Sequence, residues 1–202
     1  MEGVFVDPGG DVEKLLSAAK NLGVTVKEMW LTHGHLDHAG GAKDIRETLN
    51  IKIIGPHKDD QFWLDLIEES WAKYGQAGIG KNVVPDRYLE DGETLSLGDY
   101  EFSVLHTPGH TPGHVVIYNQ ELKLAFVGDV LFRGSIGRTD FPKGNHQQLL
   151  DSITEKLWPL GGDMRFVPGH GPLSTFGAER ADNPFVGDQV IQNSKPRTSG
   201  IM

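Results

Sequence analysis

The chain has 202 residues, 38% of them hydrophobic and 23% charged, with 26 glycines, 11 prolines and no cysteine. That length suits one domain with a full core, and the missing cysteines exclude disulfides, thiolate metal sites and cysteine nucleophiles. A formal charge of −9 argues against nucleic acid or an anionic membrane as a general partner, and without a leader-like or membrane-spanning apolar run the chain is expected in the cytoplasm.

Residues 4–6 read as a short buried strand that stops at the turn Asp7-Pro8-Gly9-Gly10. A helix is expected from Asp11, with apolar residues at Val12, Leu15, Leu16, Ala19 and Leu22, and Gly23 ends it. Residues 29–31 form the next strand, and a histidine-rich segment follows directly. Residues 40–49 can be helical, 52–54 strand-like, 59–74 one helix and 75–85 an irregular loop. Short strands then come at 94–97, 100–105, 115–118 and 122–127, separated by glycine, proline and aspartate turns. Residues 134–144 are a loop, 147–157 a helix, 164–167 a last strand and 174–181 a closing helix. From Gln189 onward the chain is polar, without periodicity. Interleaved strands and helices over the whole length imply layers of the α/β or α+β kind.

The segment His33-Gly34-His35-Leu36-Asp37-His38 carries the chemistry. In extended chain, side chains two apart share a face, so His33 and His35 can reach one cation. Asp37 and His38, where the chain turns toward a helix, can address a second. Three later residues have the same placement, past an apolar run and beside glycine: His110, Asp129 and His170. Each is weak alone, because an Asp or His after a strand is usually a turn residue. Seven together suffice for two ions. Asp7 either orients a ligand loop or merely forms its turn. His57, His106, His114 and His146 read as strand, turn or cap residues, and the four tryptophans as core, with Trp63 and Trp71 the candidates for a groove wall.

With these residues in this order, the sequence resembles the metallo-β-lactamase superfamily over nearly its whole length, from Asp7-Pro8-Gly9-Gly10 to Pro168-Gly169-His170-Gly171-Pro172. The resemblance implies an α+β fold, a four-layer αββα sandwich with the metals at one edge. The pair of strands that usually precedes residues 4–6 is missing, which leaves an edge open for self-association. Residues 1–188 are expected to form a single metallo-hydrolase domain and 189–202 a disordered tail. By resemblance His33, His35 and His110 hold the first metal, Asp37, His38 and His170 the second, and Asp129 bridges them. Zinc is expected, with iron or manganese compatible with the same donors.

An aspartate at position 129 differs from the Cys or Ser that true β-lactamases of the superfamily place there. The run Phe132-Arg133-Gly134-Ser135-Ile136-Gly137-Arg138-Thr139-Asp140-Phe141-Pro142, followed by Gln147-Gln148-Leu149-Leu150, is similar to short bacterial glyoxalase II-like proteins. That implies cleavage of a small-molecule thioester, S-D-lactoylglutathione, to D-lactate and glutathione. Asp37 and Asp129 are the expected catalytic carboxylates. Arg138 either holds an anionic substrate or forms an ion pair with Asp140. Rival readings are a mono-iron persulfide dioxygenase, a hydrolase of another ester, lactone or phosphoester, and a non-catalytic metal-stabilised binding module.

Overall fold

A computed structural model describes residues 1–194. Its strands fall into two main sheets because successive side chains along them face different apolar layers. In β2 (Thr25–Trp30), Met29 packs against helices while Trp30 packs against the opposite sheet, meeting Phe102 edge-on at 5.2 Å between ring centres. Strand β2 lies between β1 (Glu2–Val6) and β3 (Lys52–Ile54), all parallel. Parallel strands need crossovers, and α1 (Val12–Asn21) and α3 (Ala42–Leu49) provide them. The one-turn helix α2 (Leu36–Ala39) precedes α3, and α4 (Gln61–Leu64) and α5 (Ile67–Lys73) cover the same face.

The second sheet has the order β11-β10-β7-β6-β5-β4. Its strands are β4 (Thr94–Leu97), β5 (Tyr100–His106), β6 (Val115–Asn119), β7 (Leu124–Gly128), β10 (Arg165–Pro168) and β11 (Ser174–Thr175). Val115 and Ile117 of β6 face the small sheet, and Val116 faces the helices α6 (His146–Asp151) and α7 (Phe176–Asp182). A hairpin, β8 (Leu131–Phe132) with β9 (Ser135–Ile136), follows β7. The layers are helix, sheet, sheet, helix, as the resemblance implies. Strands β5, β7 and β10 run in one direction, so their carboxyl ends reach the same edge, as do those of the parallel small sheet.

Besides two short strands, β9 in the loop expected at 134–144 and β11 at the start of the helix expected at 174–181, three helical stretches differ from expectation. The single helix over 59–74 is a 3-10 turn at Lys58–Asp60 followed by α4 and α5, because the loop at 82–83 takes the ladder bonds between them. Val83 N–H donates to the Leu64 carbonyl, and Glu68 N–H donates to the Asn82 side chain. The helix over 147–157 begins as α6 and continues in π-helical geometry over Ser152–Leu157. The polar tail expected from Gln189 starts inside a further helix, α8 (Asp188–Ser194). Arg180 grips Asp188 through two 3.1 Å bonds, and Ile191 packs on the core. The rest of that expected tail, 195–202, lies outside the described residues.

Candidate metal centre

The loops at one edge of the sandwich bring all seven expected ligands together. The β2 strand delivers the segment 33–38, β5 leads to His110, β7 to Asp129 and β10 to His170. Ligand atoms of His33, His35 and His110 lie within 4.8 Å of one another, and so do those of Asp37, His38 and His170. Asp129 stands between the two groups: Oδ2 is 3.6 Å from Nε2 of both His110 and His170, and Oδ1 is 3.4 Å from His38 Nε2.

These distances have a meaning. Four nitrogen or oxygen ligands about 2.0–2.1 Å from a tetrahedral ion stand roughly 3.3–3.4 Å apart. His35 Nδ1 and His110 Nε2 are separated by 3.0 Å, His38 Nε2 and His170 Nε2 by 3.3 Å, and His170 Nε2 and Asp37 Oδ2 by 3.1 Å. In two of these rings the other nitrogen is already committed. His110 Nδ1–H donates to the Arg138 carbonyl at 2.7 Å and His38 Nδ1–H to Asp7 Oδ2 at 3.0 Å, which leaves Nε2 of each ring with its lone pair. His33 Nε2 and Asp129 Oδ1 are buried with no hydrogen-bond partner. Buried orphans and converging lone pairs fit a cation and fit little else.

Electrostatics agree for the first group and show a proton held in the second. Burial, reinforced by neighbouring imidazoles, drives His33 well below the ordinary histidine range and His35 down to about 2. Both are neutral at pH 7, as metal ligation requires. For His38 burial also opposes the charged form, but the bond to Asp7 and the charges of Asp7, Asp129 and Asp37 outweigh it and hold the ring at about 9, so at pH 7 a metal at Nε2 would displace a proton. Burial raises Asp129 against the pull of His38, His110 and His170.

The supporting residues sit far away in sequence. Asp7 accepts from Thr32 N–H at 2.7 Å and from the Thr32 hydroxyl at 2.6 Å as well as from His38, so it orients the ligand loop as well as forming its turn. His33 Nδ1 is 3.0 Å from that hydroxyl. Two further supports carry no signal in the motif. Asp60, fully buried, accepts from Gly34 N–H, the Thr111 hydroxyl and Gly113 N–H at 2.8, 2.7 and 2.5 Å, which ties the His33–His38 loop to the His110 loop. Its only trace in the sequence is an aspartate beside an apolar run. His114, also fully buried, is not a ligand. It stacks on His33 and accepts from Asp129 N–H at 3.0 Å.

Two close approaches explain glycines beside the ligands. At Gly109, with φ 139°, a Cβ would strike the backbone of Leu149 in α6, and at Gly169 it would strike Asp129 Oδ1 and the His38 ring.

Arg138 lines the cavity over this centre, but its guanidinium makes two 2.7 Å bonds to Asp140 and lies over the Phe141 ring at 4.0 Å. The cavity measures about 1110 Å³ and is also lined by Trp63 and Trp71, whereas Trp30 and Trp158 are core residues. A separate group, His57, Asp59 and His106, brings ligand atoms within 4.8 Å. Its two rings stack face to face at 4.3 Å, whereas imidazoles bind an ion in the ring plane. No helix of the described residues is long and apolar enough to cross a membrane.

Comparison with known proteins agrees with this geometry. Residues 2–170 match the model of the metallo-beta-lactamase superfamily. The chain is 42% identical to the hydroxyacylglutathione hydrolase GloC of Haemophilus influenzae over 90% of this chain and 86% of that one. Among solved structures it is similar to the BLEG-1 B3 metallo-beta-lactamase, with TM-score 0.84 and 40% identity over 92% of this chain and 88% of that one. It is also similar to TTHA1623 in a di-iron-bound form, with TM-score 0.81 and 38% identity over 90% of this chain and 87% of that one.

Proposed function

The chain belongs to the metallo-beta-lactamase superfamily, and from that premise we propose a dinuclear metal-dependent thioesterase acting on hydroxyacylglutathione conjugates such as S-D-lactoylglutathione. His33, His35 and His110 would hold one ion and Asp37, His38 and His170 the other, with Asp129 bridging. The observation that carries this reading is the double set of converging ligand atoms, one buried and one open to the cavity, with one carboxylate between them. The likeness to GloC supports the glutathione thioester, and the donor set suits zinc, with iron supported by the di-iron neighbour.

Bound there, the ions supply Lewis-acid polarisation of a carbonyl and a water acidified to near neutrality. The chain supplies the rest. Asp7, Thr32 and the Arg138 carbonyl lock the imidazoles in the tautomers that present a lone pair. Asp37 has a side chain 47% exposed at the cavity floor, and is the carboxylate placed to hold a proton of the attacking water. His114 fixes the main chain at Asp129 and so the carboxylate that spans both groups. Arg138 is the cation available to an anionic substrate once it exchanges Asp140 for it.

Elemental analysis of purified protein, joined to an assay of S-D-lactoylglutathione hydrolysis, tests the reading. Two metals per chain with turnover are expected, and His33→Ala or Asp129→Ala should lose both. Two metals without turnover would keep the hydrolase and sink the glutathione substrate. Wild-type turnover in either variant would sink the site. The likeness to BLEG-1 favours one other reading, β-lactam cleavage, and a cephalosporin hydrolysed faster than any thioester would replace the proposal with it.

A further inference from the structure

The wall of the cavity is aromatic on both sides of the ligand cluster. Trp63 and Phe141 stand edge-on to His35 at 4.5 and 5.3 Å, and Phe132 is 6.2 Å from His170. Trp71 of helix α5 and Tyr74 just past its end extend this wall outward.

Charge is as informative as shape. Outside the ligand cluster the charged residues lining the cavity are Lys73 and Arg138. Each already has a carboxylate: Lys73 pairs with Glu69 at 2.6 Å, and Arg138 is held by both oxygens of Asp140. Arg138 also presents its flat face to Phe141. The surface beside the metals therefore offers apolar rings and internally neutralised ion pairs. A lactoyl group, small and polar, leaves most of a cavity of about 1110 Å³ unfilled.

We propose that, beyond hydroxyacylglutathione conjugates, the site accepts thioesters whose acyl half is a bulky apolar group, an aryl ring or a long alkyl chain, seated against Trp63, Trp71 and Tyr74. This rests on the thioesterase reading for its chemistry, while the seat itself is a property of the cavity.

The test compares two thioesters with one leaving group, acetyl- and phenylacetyl-N-acetylcysteamine, on the metal-loaded enzyme. Burying an aryl side chain should raise kcat/KM about ten- to a hundredfold. Tyr74→Ala, at a side chain open enough to tolerate truncation, should cut that ratio about threefold or more. A second measurement needs no turnover: calorimetric titration with phenylacetate and with acetate, where phenylacetate should bind about tenfold tighter or better. A ratio within about threefold of unity in both measurements overturns the proposal, as does a ratio unchanged by Tyr74→Ala. Tighter phenylacetate binding in a protein that cleaves no thioester leaves the apolar seat standing and refutes the thioesterase reading.

Discussion

Asp60→Asn separates the charge of a buried clamp from its shape. In the folded protein Asp60 is fully buried and accepts three hydrogen bonds, from Gly34, Thr111 and Gly113. Asparagine keeps the volume but turns one acceptor into a donor. With its carbonyl oxygen facing Gly34 and Thr111, its amide nitrogen meets the Gly113 N–H donor to donor. One lost bond and one unpaired buried N–H cost about 1–3 kcal/mol.

The wild-type carboxylate has its own cost. Burial raises Asp60 from 3.8 to about 6, against the pull of its three hydrogen bonds. An acid whose folded pKa lies above its unfolded pKa contributes stability that is complete below the unfolded value and is lost as pH rises through the folded one. The loss amounts to about 3 kcal/mol, of which about 2 kcal/mol falls between about pH 4.5 and 7.5. Relative to wild type, the variant should therefore be least stable in acid and gain about 2 kcal/mol across that window.

Urea unfolding of both metal-stripped proteins at a series of pH values measures the difference, because groups common to both cancel. A difference flat to within about 0.5 kcal/mol would refute a charged, desolvated Asp60. The same variant should bind metal about 10–100-fold more weakly in chelator competition, since Asp60 grips the main chain beside His33, His35 and His110. Unchanged affinity would show that the clamp does not position the ligands.

Asp7→Ala removes the acceptor of His38 Nδ1–H and of both Thr32 donors. It should weaken the metal held by His38 about 10–100-fold while the His33, His35 and His110 group stays loaded, giving close to one metal per chain by elemental analysis after dialysis. Gly169→Ala should destabilise the protein by about 1–3 kcal/mol in urea unfolding, because the added methyl enters the space of Asp129 and the His38 ring. Its turnover should fall further than that loss of stability explains.

The layers were legible where burial follows a short period. Val115, Val116 and Ile117 are all buried, so their unbroken apolar run marks a central strand covered on both faces. The helix over 59–74 misled for the opposite reason. Its apolar spacing is continuous through Leu64 and Ile67, both buried, yet the Leu64 carbonyl and Glu68 N–H are taken by residues 82 and 83. A loop that competes for ladder bonds leaves no mark in the helix it interrupts. The polar sequence of α8 hid a helix held by the Arg180–Asp188 pair and by the packing of Ile191 on the core.

The same division runs through the site. A cation accepts a narrow set of donors, so in this cysteine-free chain candidate ligands are His or Asp, clustered in loops that follow strands and carry glycine. Those restrictions are local, which is why His33, His35, Asp37, His38, His110, Asp129 and His170 stand out as candidates in the sequence alone, and the fold brings all seven together. The residues that aim them need only be an acceptor in the right place. Asp7 is 31 residues from His38, and Asp60 is 26 from Gly34 and 53 from Gly113. No spacing rule connects them, because the fold and not the chain brings them together. Asp7 is half visible in the sequence, as the turn former of Asp7-Pro8-Gly9-Gly10, whereas Asp60 and His114 need the packed sandwich. The ligand chemistry is thus written in the chain, and the tautomers and loop positions that let those ligands act are written in the packing.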